Sequence, residues 1–525
     1  MQSMIKKSHY SLFSASFFFS LITLITLGTQ WQGQYSYDPI HWGLMLSNAK
    51  DLFEGKMPYK DIYIQYGFLT TAIHAFSYWL FGKNLFSIIF ITGIAYSIGV
   101  WLIYLVSLAV SKSTKIALFS AFICFLVHPI AIYPWSNYIS FPFFMAGIFF
   151  ISNEKTNPKH YFLSGLFFGL AILSRETIAP AIILSLILSS LLDYFDEKKG
   201  LLNFLKPKIY LVIGLILPII IFLIYLQTYN LVGYWQKLSW DVPRIFSTIL
   251  FPGAAGLTGL KNFINNLIGS FVHLNFRWNF FLLLLSVNFF ILINKLAKKE
   301  KFFNTPCLNL ILISSLLGIS NSLHIPEIFR LATISSVGVI TLFIFLDRYK
   351  HLNVIFLLFA YTLSATFLTL NTGNYFYPSS DLRKNAFSVN SIKYFKGQKW
   401  PTKTINYYEK IDEDLKKIFI LNCGIQYHYN DSEDNFLQVI SPFRQYQIAP
   451  TAQSDVFNNL RPDLDFKSKI TQAGDILIFK SLLDSDLANF RIPLGFHVYS
   501  KYSTPPNFFR PQNQSLLILI PISCK

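Results

Sequence analysis

The chain is a succession of apolar blocks separated by short polar stretches. About 20 apolar residues in a helix cross roughly 30 Å of hydrocarbon. Blocks near that length occupy roughly 10–28, 85–110, 116–133, 138–152, 161–174, 177–192, 209–227, 278–294, 308–322, 329–346 and 352–370. Tyr and Trp sit at many block edges, where amphipathic rings favour the headgroup level. Two apolar stretches do not fit as crossings. Phe68 to Phe81 is about 14 residues long, is interrupted by His74 and ends at Gly82-Lys83, a length that suits an interfacial or re-entrant helix. Residues 245–275 contain Gly253, Gly256 and Gly259 and read as an irregular loop.

From Asn371 the pattern changes. The runs Lys417–Leu421, Asp475–Phe479 and Ser515–Ile520, the last ended by Pro521, read as buried strands between turn formers. The expected fold is an α-helical polytopic membrane bundle of about eleven spans, residues 1–370, with a first outer loop at 29–84. A small C-terminal α/β extracytoplasmic domain follows, residues 371–525.

Composition agrees with this pattern: 53% of residues are hydrophobic and 14% charged, which excludes a soluble globule. A net charge of +17 is of the kind that nucleic-acid binders carry, but its placement reports topology instead. Lys6, Lys7, Lys112, Lys115, Lys155, Lys159, Lys198, Lys199, Lys206 and Lys208 fall on one set of loops and helix ends, continued by Lys295, Lys298, Lys299, Lys301, Arg348 and Lys350. Lys and Arg mark cytoplasmic loops. The N-terminus is therefore expected in the cytoplasm, residues 371–525 outside, and the protein in the cytoplasmic (inner) membrane. The first segment follows Lys6-Lys7 like a signal peptide but lacks a small-x-small site near Leu27-Gly28-Thr29, so it reads as an uncleaved anchor. Cys124 and Cys307 fall in spans as packing residues, whereas Cys423 and Cys524 share the outer tail and can pair in an oxidising compartment.

This topology puts seven carboxylates of the bundle outside: Asp38, Asp51, Glu54, Asp61, Glu176, Asp241 and Glu327. Four of them crowd the first loop, and an ionised group kept near a bilayer is a functional candidate by default. Asp38, nearest the first span, is placed to accept the proton of an attacking hydroxyl or amine. It reads equally well as a helix N-cap before Pro39, and the two roles are compatible. Asp51 and Glu54 fit the solvated face of the helix that follows. Asp61, after Pro58-Tyr59-Lys60, reads first as a turn cap and second as a chemical group. Basic groups outside are few. Arg175 beside Glu176, and Arg330 with His324 in His324-Ile325-Pro326-Glu327-Ile328-Phe329-Arg330, suit a phosphate or act as interface anchors. Lys83 and Arg277 are weaker candidates. His74 and His128 read as packed residues. No P-loop, Rossmann glycine pattern or zinc spacing occurs.

The order of these features resembles the GT-C integral-membrane glycosyltransferases, which include protein O-mannosyltransferases and the lipid A aminoarabinose transferase. The resemblance rests on an early Asp after one span and on Gly55-Lys56-Met57-Pro58-Tyr59-Lys60-Asp61, Tyr66-Gly67 and Leu80-Phe81-Gly82. Gly165-Leu166-Phe167-Phe168-Gly169 running to Ser174-Arg175 adds to it. It implies inverting transfer of a sugar from a polyprenyl-phosphate donor to a glycan, lipid or protein acceptor on the outer face. Asp38 would be the base, with Asp61 a second catalytic candidate, and Arg175, Arg330 and His324 would hold the donor phosphate. Many relatives carry another acid in the second outer loop, but His128 to Tyr138 contains none. A divalent metal is therefore unsupported and no cofactor is certain. Rival readings are an O-antigen polymerase or ligase and a transporter of lipid-linked sugars. The first normally places its large outer loop between later spans. The second favours internal repeats and mid-membrane charges.

Overall fold

The structure, a computed structural model, describes residues 34–128 except 36, then 134–152, 157–197, 201–241, 276–298, 306–322 and 328–348. In the C-terminal part it describes 384–432, 434–446, 474–505 and 514–524, and a few isolated positions besides. His324, Glu327, the 370/371 boundary, the 242–260 stretch and nearly all of 352–370 lie outside the described residues.

The helices of the bundle are α1 (His41–Phe53), α2 (Phe68–Leu80), α3 (Leu85–Ser111), α4 (Thr114–Val127), α5 (Ser136–Ile151) and α6 (Pro158–Ser174). They continue with α7 (Ala179–Glu197), α8 (Leu201–Thr228), α9 (Phe276–Lys298), α10 (Pro306–Leu317), α11 (Ile328–Ser335) and α12 (Gly338–Arg348). Local sequence sets their ends. Asn84 starts α3 by accepting the Ser87 N–H at 3.1 Å, and Lys112 closes it in the left-handed conformation. Asn157 starts α6 with Pro158 at the first helical position, where a missing N–H costs nothing.

Among the described residues, four helices are long and apolar enough to cross a membrane: Leu85–Ser111, Glu176–Phe195, Phe204–Thr228 and Arg277–Ala297. A fifth arises if α11 and α12, bent by 59° where they meet, form one broken span. This is a multi-pass membrane protein, and the expected count of about eleven exceeds what these helices alone establish. The shorter apolar helices, such as Thr114–Val127 and Ser136–Ile151, fall below a full crossing length. Ile213, Ile220, Ile221 and Ile224 of α8 stay exposed, an apolar stripe that only lipid or protein would cover. Helix α2 has 13 residues, too short to cross at about 1.5 Å per residue. Its exposed Phe76, Trp79 and Leu80 lie opposite the buried Thr70, Thr71, His74 and Tyr78, as expected of an interfacial helix.

The glycines of Gly165-Leu166-Phe167-Phe168-Gly169 have a packing role. A Cβ on Gly165 would lie 1.9 Å from the Leu211 carbonyl oxygen, and one on Gly169 2.5 Å from that of Leu215. Helices α6 and α8 thus touch backbone to backbone, the contact that small residues permit between membrane helices.

In the C-terminal part, β1 (Ala386–Ser388) pairs with β2 (Lys399–Pro401), and α13 (Thr402–Leu421) follows. Strands β3 (Tyr427–Asp431), β4 (Arg444–Gln445), β5 (Ile476–Leu483), β6 (Phe496–Ser503) and β7 (Gln514–Pro521) form a sheet in the order β4-β3-β5-β7-β6. A short helix, α14 (Phe436–Ile440), lies between β3 and β4. Strand β3 pairs in parallel with β4 and β5, and β7 runs antiparallel to β5 and β6. Cys423 and Cys524 are disulfide-bonded, and Cys124 and Cys307 are buried and free. Two of the three expected strands are present. The third, Lys417–Leu421, is instead the last turn of α13. Ile411, Leu415 and Ile418 are buried at helical spacing while Phe419, Ile420 and Leu421 are exposed; a short apolar run does not by itself separate the two periods.

The C-terminal part packs directly on α1, and a single apolar cluster runs from Trp42 and Tyr59 to Trp400, Phe436, Leu477 and Leu516. This corrects the reading of Asp51 as a solvated charge. Asp51 is buried and ion-paired with Lys56 at 2.8 Å, and burial raises its carboxyl above the usual value against the pull of Lys56 and Lys50. The polar face of α1 looks at protein, since Lys50 reaches the Val439 carbonyl at 3.5 Å. Glu54, one turn further on, is exposed as expected.

Candidate active site

The site begins at the turn that starts α1. Asp38 is buried, at 5% exposure. Its Oδ1 accepts the His41 N–H at 2.9 Å, and its Oδ2 lies 3.1 Å from His41 Nδ1. The main-chain carbonyl of Asp38 accepts the Trp42 N–H at 3.2 Å. Asp38 therefore caps the helix, with Pro39 next in line, as its sequence context suggests.

Tyr66-Gly67 and Ser174-Arg175, two motifs far apart in sequence, meet here. Gly67 has φ +85°, and a Cβ on it would lie 2.3 Å from the Ser174 carbonyl oxygen. Only glycine combines that backbone with that approach. Thr70 Oγ1 donates to the same carbonyl at 2.7 Å. The next residue, Arg175, leaves the end of α6 buried at 4% exposure and donates from Nη1 to Ser136 Oγ at 2.7 Å. Ser136 opens α5 beside Trp135. The Trp135 ring packs against His41 at 5.0 Å, Tyr66 at 5.5 Å and Phe329 at 4.9 Å. Arg330, next to Phe329, is also buried. Asn321 ties the two arginine segments together, donating to the Arg330 carbonyl at 2.8 Å while accepting from Thr177 Oγ1 at 2.9 Å.

The Tyr66 phenol is a sensor for what surrounds it. Burial pushes its pKa up most strongly; the Arg330 and Arg175 guanidinium groups oppose that, and the Asp38 carboxylate adds to it. One phenol thus feels two buried cations and one buried carboxylate. Guanidinium groups are good bidentate donors to phosphate and carboxylate oxygens, so the arrangement suits an anionic ligand beside a group able to accept a proton.

Asp38, Arg175 and Arg330 are brought together. Asp61 is exposed and accepts the Met57 N–H at 2.9 Å, closing the Pro58–Ile62 turn, and His324 lies outside the described residues. Lys83 lies over the Phe53 ring at 4.5 Å, and Arg277 is buried near the start of α9. Tyr66, Ser136 and His41 were not singled out by sequence reasoning. Tyr66 was visible only as part of a short motif, and the others carry no local signal. Among the described residues no three His, Cys, Asp or Glu side chains gather as metal ligands.

Residues 66–225 match the family model of dolichyl-phosphate-mannose-protein mannosyltransferases. ArnT from Cupriavidus metallidurans, solved bound to undecaprenyl phosphate, superposes with a TM-score of 0.53 at 11% identity, over 95% of this chain and 97% of that one. The chain shares the fold of that protein, in line with the resemblance to the GT-C enzymes noted in the sequence. The oligosaccharyltransferase AglB from Archaeoglobus fulgidus, in complex with an inhibitory peptide and a dolichol-phosphate, gives a TM-score of 0.46 at 11% identity, over 91% of this chain and 70% of that one. No curated protein matches in sequence. The segment matching the family model runs from Tyr66 through Arg175 to α8, so the Gly67–Ser174 contact lies inside it, while Asp38 and Arg330 join from either side.

Proposed function

We propose that this protein is a membrane glycosyltransferase that moves a sugar from a polyprenyl-phosphate donor to a glycan, lipid or protein acceptor at the outer face of the cytoplasmic membrane, with inversion. The observation that carries the reading is the buried assembly of Asp38, Arg175 and Arg330 around Trp135 and Tyr66. Trp135 packs on Tyr66, on the His41 that Asp38 holds and on the Phe329 next to Arg330, while its neighbour Ser136 accepts from Arg175. The carboxylate of Asp38 takes the proton of the acceptor hydroxyl or amine as the acceptor bonds to the anomeric carbon. The bond from that carbon to the phosphate oxygen breaks on the opposite face, and the polyprenyl phosphate leaves with the electron pair. Arg175 and Arg330 stabilise the charge that develops on it, as fixed donors in a water-poor site do. The shared fold, the family-model match and the lipid phosphate bound by ArnT support the donor class. The rival polymerase and transporter readings draw no comparable support from this arrangement.

Mass spectrometry of envelope glycans, glycolipids and glycoproteins tests the proposal. Cells lacking the protein are compared with cells carrying the wild type or Asp38→Asn. One glycan should be missing in the first and third and present in the second. Unchanged glycans in all three would remove the activity.

A further inference from the structure

The C-terminal domain grips the turn that carries Asp38 from both sides. On one side, the Asn435 N–H donates to the Pro39 carbonyl at 3.0 Å and Asn435 Nδ2 to the Ile40 carbonyl at 2.7 Å. The same Ile40 carbonyl receives its intrahelical bond, from the Leu44 N–H, at a longer 3.3 Å. On the other side, the Tyr37 and Tyr408 hydroxyls meet at 2.9 Å, and Tyr408 donates to Asp434 Oδ2 at 2.8 Å. Asp434 is fully buried, and its Oδ1 accepts the Phe436 N–H at 3.1 Å. The residues flanking Asp38 are thus tied to two consecutive residues of the C-terminal domain, Asp434 and Asn435. The approach is backbone to backbone: a Cβ on Gly43 would lie 2.7 Å from the Phe436 nitrogen and 2.8 Å from the Asn435 carbonyl carbon. Tyr37 is further packed against Trp400 at 5.6 Å, and the Lys399 N–H donates to the Gln34 carbonyl at 2.7 Å.

The cap on His41 orients the Asp38 carboxylate within its own turn. What places that turn in the molecule is the domain above it. We propose that Asn435, braced by Asp434 and Tyr408, is a positioning residue that holds the Asp38 carboxylate in reach of the acceptor, so that the C-terminal domain sets the geometry of proton transfer. This rests on the reading of Asp38 as the base. A base works within about 2.6–3.2 Å of the heavy atom whose proton it takes, or through one bridging water, and a displacement of about 1 Å costs on the order of 10²-fold.

The test uses the full-length protein in lipid nanodiscs, with hydrogen exchange read over residues 37–53 and turnover read as release of polyprenyl phosphate. The donor probe is the polyprenyl-phosphate-sugar fraction extracted from cells lacking the protein, and the acceptor probe is their membranes. The variants are Asn435→Ala, Tyr408→Phe and Gly43→Ala, with Glu413→Gln on the exposed face of the same domain as control. Asn435→Ala and Gly43→Ala should speed exchange at the start of α1 and lower kcat by about 10- to 10²-fold with the donor KM unchanged. Asp38→Asn combined with Asn435→Ala should be no slower than Asp38→Asn alone, because a residue acting through Asp38 has nothing left to position. Additive losses, or unchanged exchange and kcat in both Asn435→Ala and Gly43→Ala while Asp38→Asn is inactive, overturn the positioning role alone. Full turnover in Asp38→Asn overturns the base assignment together with the positioning that depends on it.

Discussion

Asp38 does two jobs with one side chain, and Asn can do only one of them. Asn keeps the oxygen that caps the His41 N–H and serves helix N-termini as well as Asp, but it cannot take a proton. Asp38→Asn should therefore leave the thermal midpoint near the wild-type value while turnover falls by roughly 10²–10⁴-fold, the usual contribution of a general base. Asp61→Asn should cost far less, because Asp61 is exposed and its partner is the Met57 backbone. A dead Asp61→Asn beside an active Asp38→Asn would move the base within the loop. The arginines call for a different measurement. Arg175→Ala and Arg330→Ala should raise the KM for lipid-linked donor, and Lys at either position should restore it only in part, since an ammonium lacks the planar fork. Wild-type donor kinetics in both Ala variants would return these residues to anchoring. These residues were legible because charge is scarce in an apolar chain, so each carboxylate or guanidinium stands out. Asn435 was not, since a neutral amide in a polar tail carries no mark of the helix turn it will bond nearly 400 residues away.

At the scale of elements, periodicity was readable where an element has one dry face and misleading where its surroundings change. Helix α2 showed its interfacial length in sequence, but not which aromatic residues it would leave exposed. The run Lys417–Leu421 reads as a strand until Ile411 and Leu415 are seen to share its face. Asp51 fits a solvated face until the C-terminal domain is seen to cover it, and no local pattern announces what will pack on top. The same cover buries His428 in β3, with Nδ1 2.9 Å from the Phe443 carbonyl. Burial pushes its pKa down to about 3 from an ordinary 6.5; the bond to Phe443 opposes this, and Lys50 and Lys56 add to it. Below about pH 6.5 the unfolded chain takes up a proton that the native imidazole refuses, so stability should be lost progressively as pH falls from about 6.5 toward about 3. Thermal unfolding followed by intrinsic fluorescence at pH 7.5 and pH 5 should show a lower midpoint at the acid value. His428→Asn, which keeps a donor for Phe443 and does not titrate there, should flatten that part of the difference. An equal acid shift in the variant would place the sensitivity elsewhere.

For the whole molecule, the arrangement of charge implies a direction across the bilayer that the packing makes functionally necessary. The turn bearing Asp38 is bonded to Asn435, Tyr408 contacts Tyr37, and Lys399 bonds Gln34. The first loop and the C-terminal domain must therefore lie on one side of the membrane, whatever the number of crossings between them. That constraint is independent of the Lys and Arg count, which assigns the side. Lys295, Lys298, Lys299 and Lys301 cluster in the sequence around the C-terminal end of α9, and such clusters mark cytoplasmic loops. The two arguments combine into one expectation. A reporter that is active only in the cytoplasm should work when fused after Lys301 and fail when fused after Asn371, and one active only outside should do the reverse. A third fusion within the first loop, after Glu54, should behave like the fusion after Asn371, because the contacts of α1 with the C-terminal domain require it. If the Glu54 and Asn371 fusions agree with each other but also with the Lys301 fusion, the charge rule has been misapplied to the later loops. If Glu54 and Asn371 report opposite sides, the packing of the C-terminal domain over Asp38 cannot exist in the membrane, and the candidate site goes with it.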